Sequence, residues 1–280
     1  MSGLRLLWLP VLLALAAGGW ALGTGPAQAQ ARSGDEESPS STGGDDPLGY
    51  VVDVDALDEP EVIAAGEALY EVGCVSCHLP GGVGGDRGPT IVDAGAASAH
   101  FYLTTGRMPL ATGGQAEPKA PAYSPDQIEA LVAYVASLGD GPEIPDVDLG
   151  AADLAEGGEL YRTGCAACHQ AAGAGGALSY GTNAPSLMSA TPVQVVEAMI
   201  VGPGQMPVFG RLSDEERDSI ARYVLALQEI EDPGGLSLGR VGPIPEGFVA
   251  LIIGTGATLL AALWIGRRRI DHEIPEGSEP

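Results

Sequence analysis

The sequence predicts a mainly α-helical protein made of two tandem copies of one small domain followed by a single C-terminal transmembrane helix. Three observations predict it. One cysteine-containing motif occurs twice with the same flanking residues, each copy closes on an amphipathic helical pattern, and an uncharged run of 20 residues, Gly247–Gly266, lies near the C-terminus. The length of 280 residues fits about two domains. A net charge of −24, from 37 acids against 13 bases with Lys119 as the single lysine, excludes nucleic-acid binding, which needs a basic face to neutralise phosphates.

Residues 1–30 read as a signal peptide, with Arg5 as basic start, an apolar stretch from Leu6 to Ala17 and a small-x-small cleavage site at Ala27–Ala29; an uncleaved N-terminal anchor is the other reading. Residues 31–61 are rich in Asp, Glu, Ser and Gly and read as an acidic, disordered lead. The repeat then sets out a first domain at 62–140, a linker at 141–152 and a second domain at 153–230. A Gly/Pro-rich connector at 231–246 leads to the transmembrane helix at 247–266. The tail 267–280 opens with Arg267, Arg268 and Arg269. The positive-inside rule therefore leaves the C-terminus cytoplasmic and both domains extracytoplasmic, anchored at the cell membrane.

Gly66–His78 (GEALYEVGCVSCH) aligns without gaps on Gly157–His169 (GGELYRTGCAACH). Each copy then runs through a Gly-rich loop to a Met-Pro pair, Met108-Pro109 and Met206-Pro207, and on to a helix. The first helix, Ser124 to Leu138, has Pro125 at its first position and apolar residues at helical spacing. The second, Leu212 to Gln228, carries Ser213 and Glu216 as a capping box.

Cys-x-x-Cys-His is the attachment signature of haem c. The thiols Cys74 and Cys77, and Cys165 and Cys168, add to the porphyrin vinyl groups as thioethers, which sets His78 and His169 on one face of each ring as iron ligands. The competing readings are weaker. A thioredoxin-like pair needs a βαβ context, adjacent Cys-His is poor spacing for a zinc tetrahedron, and disulfides within four-residue loops gain little. All four cysteines fall in the motif, so the expectation is two covalently bound haem c groups.

The sixth ligands come from counting. Met108 and Met206 hold equivalent places, each before a proline that fixes the backbone, and Met188 and Met199 remain as alternatives at the second iron. His100 has no counterpart in the second copy and reads as a surface or loop residue. Pro89 and Pro185 lie where a backbone carbonyl accepts the histidine's other N–H. Arg107 and Arg211 flank the methionine loops as candidates to pair with haem propionates. His/Met ligation closes both axial positions and raises the potential, which favours electron transfer over substrate chemistry.

These elements resemble class I cytochrome c domains in tandem. Together with the C-terminal helix, the stretch Gly234–Gly247 (GGLSLGRVGPIPEG) and the blocks around Met108, Ala133 and Met206, they resemble the dihaem cytochrome cc subunit of the actinobacterial menaquinol–cytochrome c reductase, or cytochrome bc1 complex, over roughly residues 60 to 266. The resemblance implies two tandem class I cytochrome c domains plus a C-terminal transmembrane helix. It implies partnership with cytochrome b and Rieske iron–sulfur subunits, and electron delivery to an aa3-type cytochrome c oxidase in a supercomplex. By analogy the first haem faces the Rieske centre and the second the oxidase. A dihaem peroxidase, an electron-accepting subunit of an extracytoplasmic dehydrogenase and a free-standing tethered carrier are the other classes that two such domains serve.

Overall fold

The computed structural model describes residue 49 and residues 51–110, 116–230 and 243–270. The expected signal segment, most of the acidic lead and most of the connector and tail lie outside the described residues.

Helices carry the fold. The first half contains α1 (Pro60–Gly73), α2 (Val75–His78), α3 (Gly95–Thr104) and α4 (Pro125–Ala136). The second half repeats them as α5 (Leu154–Gly164), α6 (Ala166–His169), α7 (Pro192–Val201) and α8 (Asp214–Glu229). Between α6 and α7 two two-residue strands, β1 (Gly176–Ala177) and β2 (Asn183–Ala184), pair antiparallel. The helix starts match their caps. Ser124 precedes α4 and its N–H donates to Gln127 Oε1 at 3.1 Å. Ser213 and Glu216 exchange bonds of 2.8 and 3.2 Å ahead of α8, the capping box that the sequence spells out.

In each half the first helix crosses the last: α1 on α4 and α5 on α8. A glycine makes each crossing possible. A Cβ on Gly66 would overlap the Ala130 carbonyl, and one on Gly157 the Ser219 carbonyl. A tyrosine one turn later completes the contact, with Tyr70 on Tyr134 at 5.0 Å between ring centroids and Tyr161 on Tyr223 at 5.3 Å, both tilted by 47°. In an ordinary helix a side chain in place of glycine gains about 0.5–1 kcal/mol, but forcing atoms into a packed crossing costs about 1–3 kcal/mol. The second effect wins here, because the obstacle is backbone. Gly157→Val is therefore expected to destabilise the chain by about 2 kcal/mol. A lowered thermal midpoint, monitored by circular dichroism, checks this; an unchanged midpoint would show that the helices tolerate separation.

The two halves share one apolar core. It runs from Tyr70, Leu131 and Val135 through Ala96 and Leu103 to Val193, Val196, Ile220 and Val224, and α3 packs directly on α7. Parts of the two segments read from sequence as an acidic, disordered lead and as a linker are packed against it. Val52 and Leu57, at the end of the acidic stretch, are buried, and Asp53 N–H donates to Glu129 of α4 at 2.8 Å. Ile144 and Val147, between the halves, are buried too, while Arg222 of α8 donates to the Leu149 and Ala152 carbonyls at 2.8 and 3.0 Å. Each segment has apolar residues at intervals among acids. Those few side chains suffice to dock it.

After the connector comes α9 (Pro243–Ile270). Within it Gly247–Arg267 has a mean hydropathy of 2.2 with none of its apolar window buried, which makes it the one helix among the described residues long and apolar enough to cross a membrane.

Candidate haem-binding site

Both Cys-x-x-Cys-His motifs form one tight helical turn at the end of a longer helix. The backbone N–H groups of Cys77 and His78 donate to Cys74 O at 3.0 Å, and those of Cys168 and His169 donate to Cys165 O at 3.1 and 2.9 Å. That turn gathers two thiols and an imidazole within five residues of the chain. It stops at a left-handed residue, Leu79 (φ 61°) in the first copy and Gln170 (φ 69°) in the second. A tyrosine hydroxyl pins each stop: Tyr70 Oη donates to Leu79 O at 2.7 Å and Tyr161 Oη to Gln170 O at 2.8 Å. The Gly84 and Gly175 N–H groups, both at positive φ, close the loop onto the carbonyls of His78 and His169.

The imidazoles are held by their Nδ1 atoms. His78 Nδ1 lies 2.8 Å from Pro89 O and His169 Nδ1 lies 3.0 Å from Pro185 O, so each Nδ1–H donates and leaves Nε2 with a free lone pair. Burial lowers the pKa of His169, which keeps it neutral and able to bind a metal. Burial likewise pushes the Cys165 thiol up to about 11 and raises that of Cys74.

These groups face one cavity of about 890 Å³. Cys74, His78 and Met108 line it from the first half, and Cys165, Cys168, His169 and Met206 from the second; Cys77 does not reach it. Leu103, Leu131 and Val135 complete one wall, and Val195, Met199 and Val224 the other. The apolar side chains of these walls lack packing partners on the cavity side, which a large, mostly apolar guest would supply. Their thiols, imidazoles and thioethers are the groups that haem c uses.

The remaining candidates separate clearly. Met108 and Met206 sit in the loops after α3 and α7, half-buried and on the cavity wall. Met199 also lines the cavity but belongs to the core, and Met188 does not line it. Arg107 is buried on the wall with its guanidinium 4.6 Å over the Phe101 ring, whereas Arg211 is exposed and away from the cavity. The expectation for His100 is corrected. It is no surface residue but lies fully buried in α3, with Nδ1 2.7 Å from Glu197 Oε1 of α7. Glu197 is a residue that sequence reasoning missed; a single acid inside the apolar helix PVQVVEAMIV was the available signal.

Two helical halves, each turning a Cys-x-x-Cys-His motif toward a largely apolar cavity, define a c-type cytochrome. Residues 63–139 match the family model for cytochrome c, and residues 152–224 that for cytochrome c oxidase, cbb3-type, subunit III. The cytochrome bc1 complex cytochrome c subunit of Mycobacterium tuberculosis is 42% identical over 219 residues, covering 74% of this chain and 78% of that protein. Its counterparts in Mycobacterium leprae (41% identical, covering 75% and 77%) and Corynebacterium diphtheriae (38%, covering 75% and 83%) are similar. The chain belongs to the family of cytochrome bc1 complex cytochrome c subunits. Membership implies covalently bound haem c, and the two cytochrome domains suggest two haems, at Cys74/Cys77 and Cys165/Cys168.

Proposed function

We propose that this chain takes electrons from the Rieske iron–sulfur centre of its own complex, in which cytochrome b is the other partner, and passes them to an aa3-type cytochrome c oxidase held in a supercomplex. Each bound haem c supplies a one-electron iron couple. The observation that carries the reading is the shared cavity, whose walls hold binding groups from both halves and so keep the two redox sites adjacent.

The residues divide the work. Cys74 and Cys77 tether one group and Cys165 and Cys168 the other. His78 and His169 present Nε2 to iron, oriented by the carbonyls of Pro89 and Pro185. Met108 and Met206 would each give an iron a thioether ligand besides the histidine, as in two class I cytochrome c domains. Haem c held by these histidine and methionine pairs would supply one-electron transfer without substrate chemistry on this chain. The apolar wall excludes water, and Arg107 is placed to meet a propionate. The helix within Gly247–Gly266 spans the cell membrane, with both domains outside and the C-terminus in the cytoplasm.

Purification of the tagged chain from its native membrane in mild detergent, then addition of a menaquinol analogue, tests this. Reduction of the c haems that a quinol-site inhibitor blocks, with cytochrome b and Rieske subunits co-purifying, is the expected result. Haems that stay oxidised with no such partners would overturn it in favour of a tethered carrier or a dehydrogenase subunit.

A further inference from the structure

We propose that His100 and Glu197 form a buried proton-binding site between the two domains, filled when the chain is reduced and emptied when it is oxidised. The inference rests on the two-haem reading above. Both side chains are wholly buried, one on α3 and the other on α7. The Val51 N–H donates to His100 Nε2 at 3.4 Å, which makes Nε2 the acceptor and leaves the ring proton on Nδ1. That proton is donated to Glu197 Oε1 at 2.7 Å. Glu197 Oε2 has no hydrogen-bond partner among the described residues. A neutral imidazole beside a carboxylate gives the pair one uncompensated negative charge, and the orphan oxygen is the place where a proton cancels it.

The pair also stands next to the redox sites. Ala99, Phe101 and Thr104 around His100, and Gln194, Val195 and Ala198 around Glu197, all line the shared cavity. Gln194 Nε2 donates to Thr104 Oγ1 at 3.3 Å, and Thr104 Oγ1 in turn donates to His100 O at 2.7 Å, which ties the two helices together around the pair. Burial pushes the Glu197 carboxyl up to about 7 against the opposing pull of His100, so the site changes charge near neutral pH.

On α7 Glu197 is the single ionisable residue. From α8, Arg217 pairs with Asp214 through Nη1 while its buried Nε has no hydrogen-bond partner among the described residues, Asp218 accepts the Asp148 N–H, and Arg222 holds backbone carbonyls. From α4, Glu129 accepts the Asp53 N–H; beyond α3, Arg107 lies over Phe101. The coupling then has a fixed sign. An electron arriving from the complex makes the cavity more negative and raises the proton affinity of Glu197. A proton from solvent forms a new O–H bond on the carboxylate lone pair, and on oxidation that bond breaks and the proton returns to water. Conversely, the unprotonated pair favours the oxidised chain, so the potential falls as pH rises through neutrality.

The test is redox potentiometry of the holo-complex across neutral pH, with haem content measured on the same sample. Two haems per chain, with at least one potential falling as pH rises, is the expected result. In Glu197→Gln, which keeps the shape of the side chain, that slope is lost and the potential on the alkaline side is raised. Infrared difference spectra of the unmutated protein provide a second readout that needs no variant to fold: reduction should produce a protonated-carboxyl band that shifts in D2O. Flat potentials, an unaltered slope in Glu197→Gln, or absence of that band would overturn the proton site while two haems stand. Fewer than two haems would overturn the two-haem reading and this inference with it.

Discussion

Replacing Cys165 and Cys168 together by alanine is expected to halve the covalent haem of the chain, from two groups to one, and to loosen the second half. The two thiols are the sole cysteines of that half, so no other side chain there can make a thioether. The structural consequence comes from size. Domains of roughly 80 residues bury only about 60% of their unfolded surface and have slender reserves. This one also surrounds its share of a cavity of about 890 Å³. Apolar side chains such as Val195 and Val224 then face either a void or water, and each outcome removes contacts that the filled site provides. Intact-mass measurement should find one haem mass fewer, and limited proteolysis should cut within α5–α8 first. Retention of both haems would show that these thiols are not the attachment points.

Much of this architecture is legible in the sequence because its determinants are local. A helix cap needs two residues three apart, and the Ser213–Glu216 box can be read and then found. The motif turn needs five residues. The carbonyls that orient the imidazoles lie within a short loop, at Pro89 and Pro185, so spacing alone can propose them. What escapes is what forms between the halves. His100 sits in GAASAHFYLT, a helix buried on nearly every side, and looks like an unmatched histidine because its partner is a glutamate 97 residues away. The merging of two sites into one cavity has no local signature either, since it depends on α3 meeting α7. Composition misleads in one further place. The acids of residues 51–61 predict solvation, yet Val52 and Leu57 dock that segment onto the core, because two well-placed apolar side chains outweigh a run of charges that can all remain in water.

Met206→Ala is expected to leave the second haem attached but to lower its potential by on the order of 0.1 V, a modest part of the roughly 0.8 V range that axial ligands command. On the proposed assignment, attachment rests on Cys165 and Cys168 and the histidine bond on His169, none of which the substitution touches. In the proposed ligation the Met206 thioether would favour reduced over oxidised iron, so its loss would favour the oxidised state. Met199 supplies the control, because it lines the same cavity and is almost wholly buried. Its removal from the core should cost about 2–5 kcal/mol of stability while the potential stays near that of the unmutated chain. The two substitutions thus separate ligation from packing: one moves the potential with modest effect on the melting temperature, the other the reverse. If Met199→Ala moved the potential and Met206→Ala did not, the axial sulfur would belong to α7 rather than to the Met-Pro loop.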